Sequence, residues 1–328
     1  MARWTDPIAR CVYRAVLAGA CGVLGLAALD AGAAGPRARG HVSPRVPPRQ
    51  NDGAALRRMV WVSREGQREV LPAPPRRYAE PTVSPDGTRI AVTIDDPDGT
   101  DIWIWSIPRE TLSRLTVDPS IDIWPLWTPD GAGVVFLSSR GRGGLFRKTA
   151  DGSGDTRQLL VTTRGPGPYA WTPDGRLVVS VPKAGSARRD VAVVASDAPG
   201  GLEPLLDEPF HEQRPAISPD GRWLAYGSRE SGRDEIYVRP FPDVGRDRWR
   251  VSGDGGRMAR WAPDGRELFY LTRDHLVAVG IETTSGFGVG TPDVLFGLDG
   301  FARVGALRHY DVAPDGRRFL MLEEAGPS

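Results

Sequence analysis

The chain has 328 residues, enough for one large domain or two ordinary ones, and its 40% hydrophobic and 25% charged residues are typical of a globular protein. Its 42 basic and 41 acidic residues almost cancel, so we expect no nucleic-acid partner, because such partners select strongly basic surfaces. The 40 glycines and 30 prolines predict many turns.

The N-terminal segment has the features of an export signal. Arginines precede an apolar run at residues 15–29, and small residues follow it. The run is shorter than the roughly 20 residues that a membrane span needs, although an uncleaved anchor that tethers the chain to a membrane stays an alternative. We therefore predict a signal peptide or membrane anchor at residues 1–34 and a periplasmic or other extracytoplasmic location.

The next segment, residues 35–56, is rich in proline and arginine and shows no hydrophobic period, which predicts a flexible linker. Both cysteines, Cys11 and Cys21, precede this linker. The rest of the chain therefore has no disulfide, no thiolate nucleophile and no cysteine-based metal site.

A repeat fills the remainder of the chain. The tripeptide Pro-Asp-Gly occurs six times, at spacings of 44 to 51 residues. Proline presets φ for a tight turn, aspartate bonds to its own backbone, and glycine accepts a positive φ, so each tripeptide predicts the tip of a hairpin. The tripeptides begin at Pro85, Pro129, Pro173, Pro219, Pro263 and Pro314.

Each repeat predicts four β-strands. In the first repeat, a short strand precedes the turn, Ile90 to Ile94 follow it, and a third strand at Asp101 to Trp105 leads to a fourth that ends at Leu115-Thr116. Four strands in about 44 residues are typical of a propeller blade. A βαβ fold needs long amphipathic helices, and no convincing 3.6-residue apolar period appears past Leu71.

The sixth repeat lacks its third and fourth strands, because the chain ends soon after Leu322. Two N-terminal segments, Arg58 to Ser63 and Arg68 to Leu71, match the missing strands. We therefore predict an all-β, six-bladed β-propeller of four-stranded antiparallel blades over residues 57–328. Its last blade is closed by the N-terminal strands, which removes the open edges of the ring.

These motifs resemble those of TolB-type, WD-repeat-like propellers. The resemblance is carried by Trp-Thr-Pro-Asp-Gly at residues 127–131 and 171–175 and by Ile-Ser-Pro-Asp-Gly-Arg-Trp-Leu-Ala-Tyr at 217–226. The segment Ile-Tyr-Val-Arg-Pro-Phe-Pro at 236–242 is similar to the extracytoplasmic propeller half of certain bacterial serine/threonine kinases, whose kinase motifs this sequence lacks. The resemblance implies protein binding for most such proteins and hydrolase or lyase activity for some.

A binding site is predicted where the six first strands begin, at one mouth of the central channel. The residue five places before each Pro-Asp-Gly varies in chemistry from blade to blade, which suggests that the scaffold makes no demand on it and suits a recognition surface. The ligand-binding candidates at this mouth are Glu80, Trp124, Tyr169, Arg214, Arg260 and His309.

We expect a non-catalytic monomer that binds a protein, peptide or small ligand across this face, as a scaffold or sensor, with no cofactor and no metal. The nucleophile motif Gly-x-Ser-x-Gly does not occur in the sequence. The alternative is a propeller enzyme, such as a lyase or a glycan-acting protein, that uses the channel mouth. In that alternative the candidate metal site consists of His211, Glu212, Gln213 and His309.

Overall fold

The computed structural model describes residues 55–194, 201–284, 286–303 and 308–326. The predicted export segment and most of the predicted linker lie outside these ranges. Within them, the regular elements form six four-stranded antiparallel sheets, which confirms the predicted six-bladed propeller. No helix in these ranges is long and apolar enough to cross a membrane.

Five blades consist of four consecutive strands, ordered along the sheet as in the chain. Blade 1 comprises β3 (Tyr78–Val83), β4 (Arg89–Asp96), β5 (Gly99–Ser106) and β6 (Thr111–Arg114). Blade 2 comprises β7 (Asp122–Trp127), β8 (Gly133–Ser138), β9 (Gly144–Thr149) and β10 (Arg157–Val161). Blade 3 comprises β11 (Gly167–Trp171), β12 (Leu177–Pro182), β13 (Arg189–Val194) and β14 (Leu202–Leu206). Blade 4 comprises β15 (Glu212–Ile217), β16 (Trp223–Ser228), β17 (Glu235–Pro240) and β18 (Trp249–Arg250). Blade 5 comprises β19 (Arg257–Trp261), β20 (Glu267–Leu271), β21 (His275–Glu282) and β22 (Gly288–Gly297).

Blade 6 joins the two ends of the propeller. Its strands β1 (Arg57–Ser63) and β2 (Arg68–Val70) come from the N-terminal side, and β23 (Tyr310–Val312) and β24 (Arg318–Glu324) from the C-terminal side. Strand β1 pairs with β24 along its whole length, from Arg57 opposite Glu324 to Ser63 opposite Arg318. The predicted closure of the ring is therefore confirmed.

The Pro-Asp-Gly turns adopt the conformation that their residues predict. In the first turn, Oδ1 of Asp86 accepts the backbone N–H of Thr88 at 3.0 Å, and Gly87 has a φ of 72°. The glycines of the other five turns also have positive φ. A Cβ atom on Gly87 would lie 3.5 Å from the ring of Pro314, the proline of the preceding blade's turn, so these turns pack on one another.

The hydrophobic core lies between neighbouring blades, where apolar side chains of adjacent sheets interlock. The tryptophan two places before the turn also makes a hydrogen bond to the preceding blade. The indole N–H of Trp127 donates to the carbonyl of Thr82 at 3.1 Å, and that of Trp261 donates to Ala216 at 3.1 Å. Each of these hydrogen bonds joins the first strands of two blades beside the central channel.

The antiparallel order of each blade determines which segments meet at the ends of the channel. The first strand begins at the same end as the turn between the second and third strands, and the Pro-Asp-Gly turns lie at the opposite end. First strands of neighbouring blades also contact one another. We call the end where the first strands begin the channel mouth.

Candidate functional site

In blades 1, 2, 4 and 5, the residue five places before the turn lies at a β-bulge rather than in a regular strand. Glu80, Trp124, Arg214 and Met258 have φ between 51° and 59°, and all four are buried. A left-handed conformation costs a non-glycine residue about 1 kcal/mol or more. In these four blades the expectation that the scaffold makes no demand at this position is therefore wrong, because the position has a bulged, left-handed backbone and a buried side chain.

Glu80 connects blades 1 and 2 at the mouth. Its Oε2 accepts the backbone N–H of Trp124 and the hydroxyl of Thr93, both at 2.7 Å, while Oε1 has no hydrogen-bond partner among the described residues. Burial raises the pKa of this carboxyl to about 7. Its surroundings therefore disfavour the charged form of Glu80.

Trp124 forms part of the wall of the mouth. It is only 9% exposed and packs with Ala79 and Ile123, and the guanidinium of Arg189 lies 5.7 Å from its ring centroid. A cation over an indole face is attracted by the ring quadrupole. The Trp124 side chain therefore supports Arg189 and presents little surface to a ligand.

Arg189 and Arg214 meet beside Tyr169. Arg189, the first residue of β13, donates from Nε to the hydroxyl of Ser180 at 3.0 Å, and Arg214 hydrogen-bonds Tyr169. Burial, together with the nearby positive charge of Arg214, lowers the pKa of Arg189 to about 10. Both guanidinium groups stay charged at neutral pH in a site from which water is largely excluded.

Arg308 reaches across the channel axis. Although it belongs to blade 6, its Nη1 donates to the carbonyl of Pro125 in blade 2 at 3.2 Å, and its guanidinium carbon lies 5.9 Å from the Tyr169 ring centroid in blade 3. Burial, with the nearby charge of Arg260, lowers its pKa to about 10. The side chain therefore places a positive charge close to the centre of the mouth.

Asp311 connects blades 5, 6 and 1. One of its oxygens lies 3.4 Å from Nε of Arg260, and the other accepts the backbone N–H of Val83 at 2.9 Å and the hydroxyl of Thr82 at 3.1 Å. The pair of Arg260 and Asp311 is largely buried. Arg260 is thus balanced by a carboxylate, whose charge also acts on Arg308.

The candidate metal ligands do not converge on one point. Nδ1 of His211 accepts the backbone N–H of Arg189 at 3.2 Å, so this nitrogen is engaged. Glu212 is fully buried, and His309 is 5% exposed next to Arg308. In the part of the chain that the structure describes, no group of three or more histidine, cysteine, aspartate or glutamate side chains is placed to hold a metal ion.

The structure brings five of the six candidate residues into one connected cluster, through the contacts of Glu80, Trp124, Tyr169, Arg214 and Arg260. His309 is buried in the segment that supplies Arg308. Their role in binding a ligand stays a prediction.

Sequence analysis missed the arginines at 189, 257 and 308. The sequence does contain a pattern that points to Arg257 and Arg308, at the position six places before each turn. The first three blades have small or apolar residues there, namely Ala79, Ile123 and Gly167. The last three blades have polar side chains at the same position, namely Gln213, Arg257 and Arg308.

Comparisons with known proteins agree with this architecture. A family model described as the TolB beta propeller domain matches residues 59–238, more than half of the chain. A curated relative, the Tol-Pal system protein TolB of Anaeromyxobacter dehalogenans, is 39% identical over 69 residues, which cover 21% of this chain and 16% of that protein. The chain therefore matches only a small part of this relative's length.

Solved structures with the same fold include both a TolB protein and an enzyme. The putative TolB from Agrobacterium tumefaciens has a TM-score of 0.66 at 18% identity, over 84% of this chain and 100% of that one. A puromycin-hydrolyzing peptidase of Mycobacterium tuberculosis has a TM-score of 0.55 at 19% identity, over 76% of this chain and 44% of that one. At these identities the likeness concerns the fold alone. With the family model covering most of the propeller, the chain belongs to the TolB β-propeller domain family.

Proposed function

We propose that this chain is a non-catalytic propeller that binds a protein, peptide or small ligand at the channel mouth, as a scaffold or sensor. The observation that supports the proposal is that polar and aromatic side chains from every blade lie at one end of the channel, since ligand sites combine such groups. In blade order these side chains are Glu80, Trp124, Tyr169, Arg214, Arg260 and Arg308.

The accessible part of the mouth has the residue types of a recognition surface. Tyr169, Arg189 and Arg257 keep part of their surface accessible, whereas Trp124 and Arg214 are buried. Tyrosine and arginine dominate the binding energy of many interfaces. A protein partner also agrees with the name of the curated relative, which assigns that relative to the Tol-Pal system.

Site-specific photo-crosslinking tests this proposal. A benzophenone amino acid in place of Tyr169 should form discrete adducts with the ligand in extracts of the native cell. The same amino acid in place of Arg317, an exposed residue next to the sixth turn at the opposite end, is the matched control. Replacing Arg257 by Ala should lower the Tyr169 adduct severalfold, since truncating an interface arginine typically costs about 1 to 2 kcal/mol of binding.

Equal adduct yields from both positions, or none from Tyr169, would place recognition elsewhere. Trp124 is unsuitable as a probe, because it is buried and its loss would cost about 3 to 5 kcal/mol of stability. Stability and binding would then change together, and the experiment could not separate them.

We also propose that the chain is exported. The support comes from the basic, apolar and small-residue regions of the N-terminal segment, residues 1–34, which have the order of a secretory signal. Fractionation of cells that express the full chain should find it outside the cytoplasm. Recovery of the uncleaved chain in the cytoplasm, with no membrane-bound fraction, is the contradicting result.

A further inference from the structure

We propose that the channel mouth binds an oxyanion of its ligand, a carboxylate or phosphate group, between the guanidinium groups of Arg189, Arg214, Arg257 and Arg308. This inference rests on the proposed function and names the chemistry of the ligand. It assigns the arginines of the mouth a role in recognition in addition to packing.

The arginines form one connected group across the mouth. Arg214 is close enough to Arg189 and Arg257 to lower the pKa of each, and Arg260 does the same to Arg214 and Arg308. The positive charges of these arginines repel one another, and burial strengthens the repulsion because less water screens it. A group of cations held together in this way attracts an anion strongly.

Most carboxylates near the group are already bonded to other arginines. Asp234 accepts from Nε of Arg229 at 2.8 Å, and Asp311 lies 3.4 Å from Nε of Arg260. Glu80 also faces Arg308, and burial raises the pKa of Glu80 and so disfavours its charged form. Asp274, whose charge raises the pKa of Arg257, lies 3.7 Å from Arg303. Among the described residues, these carboxyl groups are fewer than the arginines that they face.

Two donors of the group have no hydrogen-bond partner in the described residues. The Nε atoms of Arg257 and Arg308 are buried and unbonded, although Arg308 also uses Nη1. A buried donor without a partner is costly, and most such donors in proteins are satisfied. A carboxylate or phosphate has several lone pairs that accept from more than one guanidinium at once, and the planar arginine fork matches the geometry of both.

Calorimetric titration of the full chain with two simple probes, inorganic phosphate and citrate, tests the proposal at low ionic strength. At least one probe should bind with saturation and raise the melting temperature, because a ligand of the folded state stabilises it by mass action. Tighter binding of phosphate would assign a phosphorylated ligand, and tighter binding of citrate would assign a carboxylate-bearing one.

Substitutions locate the binding. The double variant Arg257→Met with Arg308→Met should lose at least tenfold in affinity. The single variant Arg308→Lys, which keeps the charge and loses the fork, should lose less. The control variant Arg317→Met removes an exposed arginine at the opposite end of the channel and should bind the anion as tightly as the wild type does. Without anion, the double variant should melt no lower than the wild type, since it removes two like charges.

Two results overturn the proposal. The first is that neither probe binds with saturation. The second is that Arg308→Lys and the double variant both bind the probe with the affinity of the wild type. In either case a crosslink from Tyr169 would still support binding at the mouth, so failure of the anion site is distinguishable from failure of the proposed function. Loss of that crosslink as well would remove both.

Discussion

Buried carboxyl groups at the start of the first strands differ in how their charge is balanced. Seven places before the turn, blade 2 has Asp122 and blade 4 has Glu212. Asp122 lies 2.9 Å from Arg140, and its pKa, raised by burial, is about 6. Neither oxygen of Glu212 is bonded to a described residue, and burial raises its pKa to about 8. One repeat position thus carries an ion-paired acid in blade 2 and a neutral acid in blade 4.

Glu212 should make the stability of the propeller depend on pH. The folded state raises its pKa from 4.5 to about 8, so the folded chain binds the proton more tightly than the unfolded chain. The stabilising contribution is complete below pH 4.5 and is lost as the pH rises through about 8. Denaturant unfolding should therefore show a free energy that falls from pH 5 to pH 8.5, and Glu212→Gln should flatten this fall by up to about 4 kcal/mol.

The matched control is Glu203→Gln, because Glu203 lies on an outer strand with its side chain exposed. Its pH profile should follow that of the wild type. If Glu212→Gln kept the full pH dependence of the wild type, another group would have to be the source.

At the scale of strands and turns, local sequence determined most of what could be predicted. The turns were predictable because Pro-Asp-Gly contains its own conformational requirements, as the positive φ of Gly87 illustrates. Strand edges differ from the prediction by one or two residues, as where β2 ends at Val70 instead of Leu71. Such shifts are normal, because the last residues of a strand pair weakly.

The bulges and the arginine group could not be predicted in this way. A left-handed Glu80 or Trp124 has no local sequence signal, since neither residue type favours positive φ. Arg189 reaches the mouth from the start of the third strand of blade 3, and Arg308 reaches it from the blade opposite Tyr169. Both placements depend on how whole blades are arranged around the axis, and the periodicity of one strand does not contain that information.

At the scale of the whole molecule, a balanced net charge conceals an unbalanced distribution. The formal net charge is +1, yet Arg189, Arg214, Arg257 and Arg308 lie together at one end of the channel. Composition therefore argues against a long-range basic field and says little about a local one. The ring brings these residues together from blades 3 to 6, which makes the anion site a property of the closed propeller.

Closure of the ring depends on β1, which contributes to the core on both sides of blade 6. Met59 and Trp61 pack with blade 1, and Val60 and Val62 pack with blade 5. Each large buried side chain typically contributes about 2 to 5 kcal/mol, while a whole domain is stable by only about 5 to 15 kcal/mol. Removing β1 would also leave the whole of β24 as an unpaired edge.

Two truncations test this dependence. A chain that lacks residues 1–50 keeps β1 and β2 and should fold with a cooperative thermal transition. A chain that lacks residues 1–75 loses both strands and should aggregate or melt without cooperativity.

The substitution Val60→Asp in the shorter truncation is the matched control, because it leaves the chain length unchanged and places a charge at a fully buried position. It should behave like the longer truncation, since an unpaired buried charge is as disruptive as the missing strand. Equal melting temperatures for the two truncations would mean that the five remaining blades and β23–β24 form a stable unit alone, and the N-terminal strands would then be dispensable for the fold.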